Sequence, residues 1–255
     1  MTHDPDTFTV MTMNLRFGLA EDGENSWANR KKAYPELFTI HEPDFIGFQE
    51  ANDFQTAYLC DILKDHRHIG ERENLQDPPV RSWQDNLIFY RRPWTCVTHR
   101  HYFLSDTPDI ESKFPESQWP RQCIIGHFRN NGRSLVHVNT HFDFAAKVQE
   151  RSACVVLEFL KDFPADAPVL ITGDFNTSPC SRTYELFREK GFRDLFENHH
   201  SSTFHGFTGK DLGGHIDWIL FKGPIEGMEH RIIQNPFNGI YPSDHYPVKA
   251  VFRFV

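Results

Sequence analysis

Long apolar runs are missing from this sequence. No stretch of its 255 residues approaches the length of a membrane span. The opening "MTHDPDTFTV" is acidic where a signal peptide would be basic. A soluble, cytoplasmic protein is therefore expected. Cysteine is scarce as well: the five are odd in number and none forms a C-x-x-C pair, which argues against a disulfide framework or a thiolate zinc site. Positive charge is in deficit, and the formal net charge of −8 is opposite in sign to that of a protein gripping duplex DNA through many phosphates. Low-complexity tracts, internal repeats and obvious linkers are absent too. Residues 1–255 are expected to form one domain, able to bury about three quarters of its unfolded surface without covalent staples.

What the sequence does contain is a series of short β-branched or aromatic runs bounded by Gly, Pro, Asn or Asp. These are "FTVMTMN", "DFIGFQE", "NLIFY", "CIIGHF", "SLVHVNTHF", "PVLITGD", "IDWILF" and "PVKAVFRFV", and each predicts a strand. Helices are fewer. They are expected in "SWANRKKAYPELFTIH", where Pro35 limits the first turn, and in "NDFQTAYLCDILK" and "AAKVQERSACVVLEFLKDF". A fourth, "SRTYELFREKGF", has Gly191 placed as its C-cap. Arg67 to Trp83 and Ser105 to Trp119 read as long polar loops. Many strands with interspersed helices predict an α/β domain of packed sheets with helices outside.

The strand ends repeat one chemistry. "VLITGDFNTSP" ends its aliphatic run in Asp174 and Asn176, which share parity and leave the same face of an extended chain. "MTMNLR" offers Asn14 and "IGFQE" ends in Glu50. "HVNTHFD" offers Asn139 and His141, again of equal parity. Asp217 begins "DWIL", and Asp244 and His245 precede the last strand. A fold needs apolar strands, but it does not need carboxylates, amides and imidazoles at six of their tips.

In this order the motifs N…QE…NTH…GDFN…ID…SDH resemble those of the exonuclease–endonuclease–phosphatase superfamily. That group includes deoxyribonuclease I, abasic-site endonucleases, sphingomyelinases, inositol-polyphosphate phosphatases and deadenylases. The match runs from Asn14 to Val248. "MTMNLRFG…NSWANRK…PDFIGFQEA" is similar to a bacterial branch of it, and its opening also to deadenylase-like members. The resemblance implies a four-layer α/β sandwich, two packed mixed sheets between helices, and Mg²⁺- or Mn²⁺-dependent hydrolysis of a phosphate ester. It implies Glu50 as main metal ligand, with Asn14 beside it and Asp244 assisting. Hard divalent ions take such oxygen donors. It also implies an Asp217–His245 pair, with His245 as base or electrostatic clamp and Asp174 as the competing base. Asn176 would orient water or phosphate, His141 would donate to a phosphoryl oxygen or the leaving group, and Asn139 would support it on the substrate side.

The chain departs from the family pattern in two places. Many nuclease members carry a carboxylate two residues after the first Asn, where Arg16 stands, which leaves one metal ion or two open and offers a phosphate-binding arginine there. The Glu that often supports the His141 position is replaced by Gln84, with Asp85 adjacent. Arg121 is a further candidate substrate contact. Arg30, Trp27 and Trp119 divide evenly between pocket lining and ordinary packing. Alone, Asp174 would be read as an Asx-turn ending a strand, and His245 as a satisfied histidine. "GFTGK" lacks the spacing of a P-loop. The expected substrate is a nucleic acid, nucleotide, lipid headgroup or sugar phosphate, with diester cleavage ahead of monoester cleavage and no stable protein partner. The rivals are a phosphomonoesterase or lipid or sugar phosphatase of this fold, an inactive binding protein, and a glycoside hydrolase. The last does not account for two histidines and two asparagines at strand tips.

Overall fold

Alternate side chains of a strand leave opposite faces, and a strand apolar on both faces must be covered on both. The computed structural model describes residues 6–71, 84–198 and 201–255, and it meets that demand with stacked sheets between helices. Among the described residues the first strands are β1 (Thr7–Asn14), β2 (Phe45–Ala51), β3 (His66–Ile69), β4 (Asp85–Arg91), β5 (Thr95–Phe103) and β6 (Gln122–Asn130). They are followed by β7 (Arg133–His141), β8 (Val169–Asp174), β9 (Arg193–Asp194), β10 (Asp217–Lys222), β11 (Ile225–Ile232) and β12 (Val248–Phe254). One sheet runs β11-β12-β1-β2-β4-β3 and the other β5-β6-β7-β8-β10-β9. β1 pairs parallel with β2, and β7 with β8.

The faces sort into three apolar layers. Phe8, Val10, Phe45, Ile124, Phe128, Leu170 and Ile219 meet between the sheets. Their neighbours Met11, Met13, Ile46 and Phe48 turn outward onto helix α2 (Tyr34–His41) and helix α3 (Asp53–Ile62) through Tyr34, Leu37 and Leu59. On the far side Val136, Val138, Ile171 and Leu220 pack on α4 (Ala146–Phe159) and α5 (Arg182–Glu189) through Val156 and Phe187. This is the expected four-layer α/β sandwich. No helix among the described residues is long and apolar enough to cross a membrane.

Local chemistry sets the helix limits. The stretch from Ser26 breaks into a short helix (Trp27–Arg30), a 3-10 turn (Lys31–Ala33) and α2, with Pro35 in the first turn of α2, where a missing N–H leaves nothing unpaired. Asn52 and Gln55 form a capping box on α3. Ser181 caps α5 by accepting from the Tyr184 N–H, and Gly191 after it takes φ 83°, which glycine adopts without steric cost.

All eight expected strands form. The four that the sequence did not suggest, β3, β5, β9 and β11, are the outer strands of the two sheets. An edge strand is solvated along one side and needs no apolar face, so β5 and β11 are mostly exposed and read as polar. β3 also corrects the loop expected from Arg67, since Arg67–Ile69 are strand. The rest of that stretch from Arg72, and His199 and His200, lie outside the described residues. Ser105 to Trp119 carries neither strand nor helix, as expected.

Towards one end of the sandwich the inter-sheet layer turns polar. Thr12, Gln49, His137, Asn139 and Thr172 are all fully buried there. Asn139 Nδ2 donates to the carbonyls of Phe48 (2.7 Å) and Leu87 (2.9 Å) in the opposite sheet. Its Oδ1 accepts from Gln49 Nε2 (2.7 Å) and Thr172 Oγ1 (3.2 Å). Gly47 lies directly against this knot, where a Cβ would land on Thr172 Oγ1 and Asn139 Oδ1. Asn139 is thus a strut between the sheets. The expectation that it contacts substrate gives way to this, because its hydrogen bonds are spent in the interior. Replacing it with Ala strands several buried polar groups. Asn139→Ala should lower the unfolding free energy by about 3 kcal/mol in a urea titration; an unchanged midpoint would show that the strut carries no stability.

Candidate active site

The polar inter-sheet face continues outward into the site. Asn14, His141, Asp174 and Asp217 share the parity of the residues between the sheets: Val10 and Thr12 in β1, Leu135 and Asn139 in β7, Leu170 and Thr172 in β8, and Ile219 in β10. His141 lies in register with Asp174, and Asp174 with Asp217. Glu50 breaks the parity rule. It follows Phe48 by two and would face the helices, but the β2–β4 register slips between Phe48 and Ala51 and Glu50 takes φ 60°. A bulge of this kind re-aims a side chain. Here it turns the carboxylate to the seam of the sheets.

Asp174 is the centre of the resulting network. Its Oδ2 accepts from Asn14 Nδ2 (2.9 Å) and lies 3.5 Å from His141 Nε2 and 3.8 Å from His245 Nε2. Its Oδ1 accepts the Asn176 N–H (3.0 Å), so the Asx-turn is present as well as the site. Asn14 Nδ2 also donates to Glu50 Oε1 (3.1 Å), and Glu50 Oε2 accepts the Phe17 N–H (2.5 Å). Asn176 Nδ2 reaches His141 Nε2 (3.1 Å) and the Phe142 carbonyl (3.0 Å), holding the imidazole. His245 Nδ1 pairs with Asp217 Oδ2 at 2.9 Å, as expected. Adjacent Asp244 turns instead to Arg16 Nε (3.6 Å) and Ser243 Oγ (3.1 Å).

Two clamps hold these loops. Thr203 Oγ1 accepts the N–H groups of Ile216 and Asp217, while the Thr203 carbonyl accepts the Tyr246 N–H. Arg30 is fully buried and donates to the carbonyls of Asn25, Leu15 and Pro242, joined at Pro242 by Tyr34 Oη. Of the two readings open for Arg30 and Trp27, packing holds: Arg30 ties the β1 exit to the loop bearing Asp244 and His245, and Trp27 packs on Tyr34. Neither Arg30 nor Thr203 carries a sequence signal, because their partners are backbone atoms far away in the chain.

Burial sets the charge states. It pushes the Asp174 carboxyl up to about 7, against the pull of His245. Burial alone would depress the His245 imidazolium, but Asp217 and Asp174 outweigh it and hold its pKa well above the usual histidine value. His141 is driven the other way, by burial and then by Arg121 and His245, and is neutral.

The oxygens present fit a hard divalent cation. One ligand atom from each of Asp174, Asp217 and His245 lies within 4.8 Å of the others. Asp217 Oδ1 is buried without a hydrogen-bond partner, and Glu50 and Asp174 share the single Asn14 amide nitrogen. His245 Nδ1 is already bound to Asp217, so the carboxylate oxygens are the better donors. Asn14 departs from its expected role. Its Oδ1 accepts the Arg16 N–H (2.8 Å), so its nitrogen faces the carboxylates and it bridges them instead of offering them an oxygen donor. Asp244 likewise positions Arg16.

A cleft of about 340 Å³ opens beside Glu50 and His141, lined also by Arg16, Gln84, Asn86, Gln122 and Arg121. The two expected substrate arginines are both here. Arg16 is half committed, with a bidentate pair to Asp22 at 2.9 and 3.0 Å. Gln84 faces the cleft, while Asp85 pairs in register with Ala51. Asp143, which the sequence reading passed over, is buried and accepts from Ser117 Oγ and the Gln118 N–H. Its one signal is its parity with His141.

The Asp217 carboxylate is the largest single support of the His245 charge. Asp217→Asn should lower the His245 pKa in an NMR titration of the imidazole; an unmoved titration would break the pairing.

Known proteins resemble this chain in sequence or in structure. An Acanthamoeba polyphaga mimivirus protein, L388, is 26% identical over 89% of this chain and 92% of its own. Nocturnin of Drosophila melanogaster is 25% identical over 90% of this chain, which spans 38% of the fly protein. The solved structure of the Bacteroides thetaiotaomicron mannosyl-6-phosphatase Bt3783 superposes with a TM-score of 0.88 at 26% identity, covering 97% of this chain and 100% of that one. Residues 11–245 match the sequence profile of the Endonuclease/Exonuclease/phosphatase family, and the chain belongs to that family of phosphoester hydrolases.

Proposed function

We propose that this protein is a divalent-metal-dependent phosphoesterase that acts on a small phosphate ester. The observation that carries the reading is the convergence of Glu50, Asp174, His141 and the Asp217–His245 pair at one end of the inter-sheet seam. Glu50, with the Asp174 oxygens beside it, would hold Mg²⁺ or Mn²⁺, which supplies polarisation of a phosphoryl oxygen and neutralises developing charge.

The side chains do the rest. Asp174 Oδ2 takes the proton of the attacking water, while the His245 imidazolium, its Nε2 3.8 Å away, stays charged and clamps the developing phosphoryl charge. Asp217 keeps the imidazole in the orientation that aims Nε2 at Asp174. Neutral His141, held by Asn176, faces the leaving oxygen, and the approach of a phosphate anion raises its basicity. Arg121 neutralises substrate charge from the other wall.

Size and charge decide the substrate class. The net charge of −8 repels a long polyanion, and the cleft of about 340 Å³ suits a compact ester. The sequence pattern alone favours a diester. The small cleft, together with the likeness to the Bacteroides mannosyl-6-phosphatase, favours a monoester.

After treatment with EDTA and dialysis, the protein should hydrolyse p-nitrophenyl phosphate faster than its bis-ester when Mg²⁺ or Mn²⁺ is restored. Full turnover in chelator would sink metal dependence. His245→Ala and Asp174→Ala should each cut kcat about a hundredfold or more; near-normal rates in both would remove the pair from the chemistry.

A further inference from the structure

Two large aromatic side chains stand exposed at the mouth of the cleft. Trp119 is 50% and Phe144 60% accessible, although folding normally buries such surface. They come from separate segments, the loop before β6 and the loop after β7, yet meet edge to face with centroids 6.3 Å apart. The pairing is built. Asp143 Oδ2 accepts the Gln118 N–H (2.9 Å), and the one Ser117 hydroxyl proton is shared between Asp143 Oδ2 (2.8 Å) and the Trp119 carbonyl (2.7 Å). A buried carboxylate beside Phe144 thus pins the loop that carries Trp119.

Arg121 lies beneath both rings, 5.5 Å from the Trp119 centroid and 5.8 Å from that of Phe144. Its side chain is only 11% accessible, and its Nε is buried without a hydrogen-bond partner. Its nearest carboxylate oxygen, Asp143 Oδ2, is 4.0 Å away and already accepts two hydrogen bonds. A desolvated guanidinium left in this state is a receptor for an anion. Gln84 and Asn86 bring amides to the same cleft.

We propose that Trp119, Phe144 and Arg121 form a sugar-phosphate subsite. The apolar C–H face of a cyclic sugar rests on the aromatic pair, the phosphate is received by Arg121 and lies against Glu50 and His141, and the hydroxyls reach the amides of Gln84 and Asn86. The edge-to-face pair offers a corner instead of a slot for a flat base, and amides match hydroxyl groups that both donate and accept. The volume suits one ring with its phosphate. This inference rests on the phosphoesterase reading above and narrows it to the alcohol that leaves.

The test compares kcat/KM for hexose 6-phosphates, glycerol 3-phosphate and nucleoside 5′-monophosphates with Mg²⁺ in the wild type, Trp119→Ala, Phe144→Ala and Trp119→Phe. Hexose phosphate should be preferred over glycerol phosphate by about tenfold or more. Either alanine variant should collapse that ratio mainly through KM, and Trp119→Phe should restore most of it. Equal use of ring and acyclic esters, a ratio untouched by both alanine variants, or preference for the nucleotide would overturn the proposal. In EDTA, hexose 6-phosphate should still quench tryptophan fluorescence, with the quench lost in Trp119→Phe. Binding without hydrolysis of any ester would leave the subsite standing and defeat the phosphoesterase reading; hydrolysis without a ring preference would do the reverse.

Discussion

A carboxylate taken out of water must be compensated, and the site is built around the compensation of Asp174. It lies between two sheets, almost inaccessible, with one amide N–H and one backbone N–H on its oxygens and an imidazole on either side. The charged His245 imidazole, 3.8 Å away, offsets only part of the desolvation, which is why burial still lifts the Asp174 pKa to about 7. A group in that condition is poised to accept a proton or to share a cation. Asp217 is paired with the one imidazole that stays charged, and Glu50 shares the Asn14 amide. Loss of the central carboxylate would leave each of the others with an unmatched neighbour.

The sandwich supplies the rigidity that such proximity needs. Between the sheets the apolar layer gives way to a knot of Gln49, Asn139, Thr172 and Gly47, so the spacing of the sheets next to the site is fixed by directional hydrogen bonds as well as by packing. From there the parity of each strand carries the pattern outward to the catalytic tips. Arg30 and Thr203 perform the same service for the loops, binding backbone carbonyls and N–H groups that would otherwise be free to drift. In the proposed reading chemistry and recognition are divided accordingly: strand ends would hold the reacting groups, and the loops bearing Trp119 and Phe144, which line the cleft, would meet the rest of the substrate.

By itself the sequence determined the sandwich interior and most of the site. The eight strands buried on both faces had to be apolar, and alternation put Asn139 and His141 on one face of their strand. The pairing of His245 with Asp217 followed from the order of motifs shared with a known superfamily. The four edge strands stayed hidden because they are solvated and carry no periodic signal. Tertiary structure alone decided what depends on distance across the chain. It spent Asn139 in the interior, reversed the amide of Asn14, turned Arg30 from pocket to strut, and re-aimed Glu50 through a bulge that no side-chain pattern encodes. It also stacked Trp119 and Phe144 over Arg121. The physical reason is common to all of these: a periodic pattern records which face a residue occupies, whereas hydrogen-bond partners and backbone kinks are settled only when both sheets and their loops are in place.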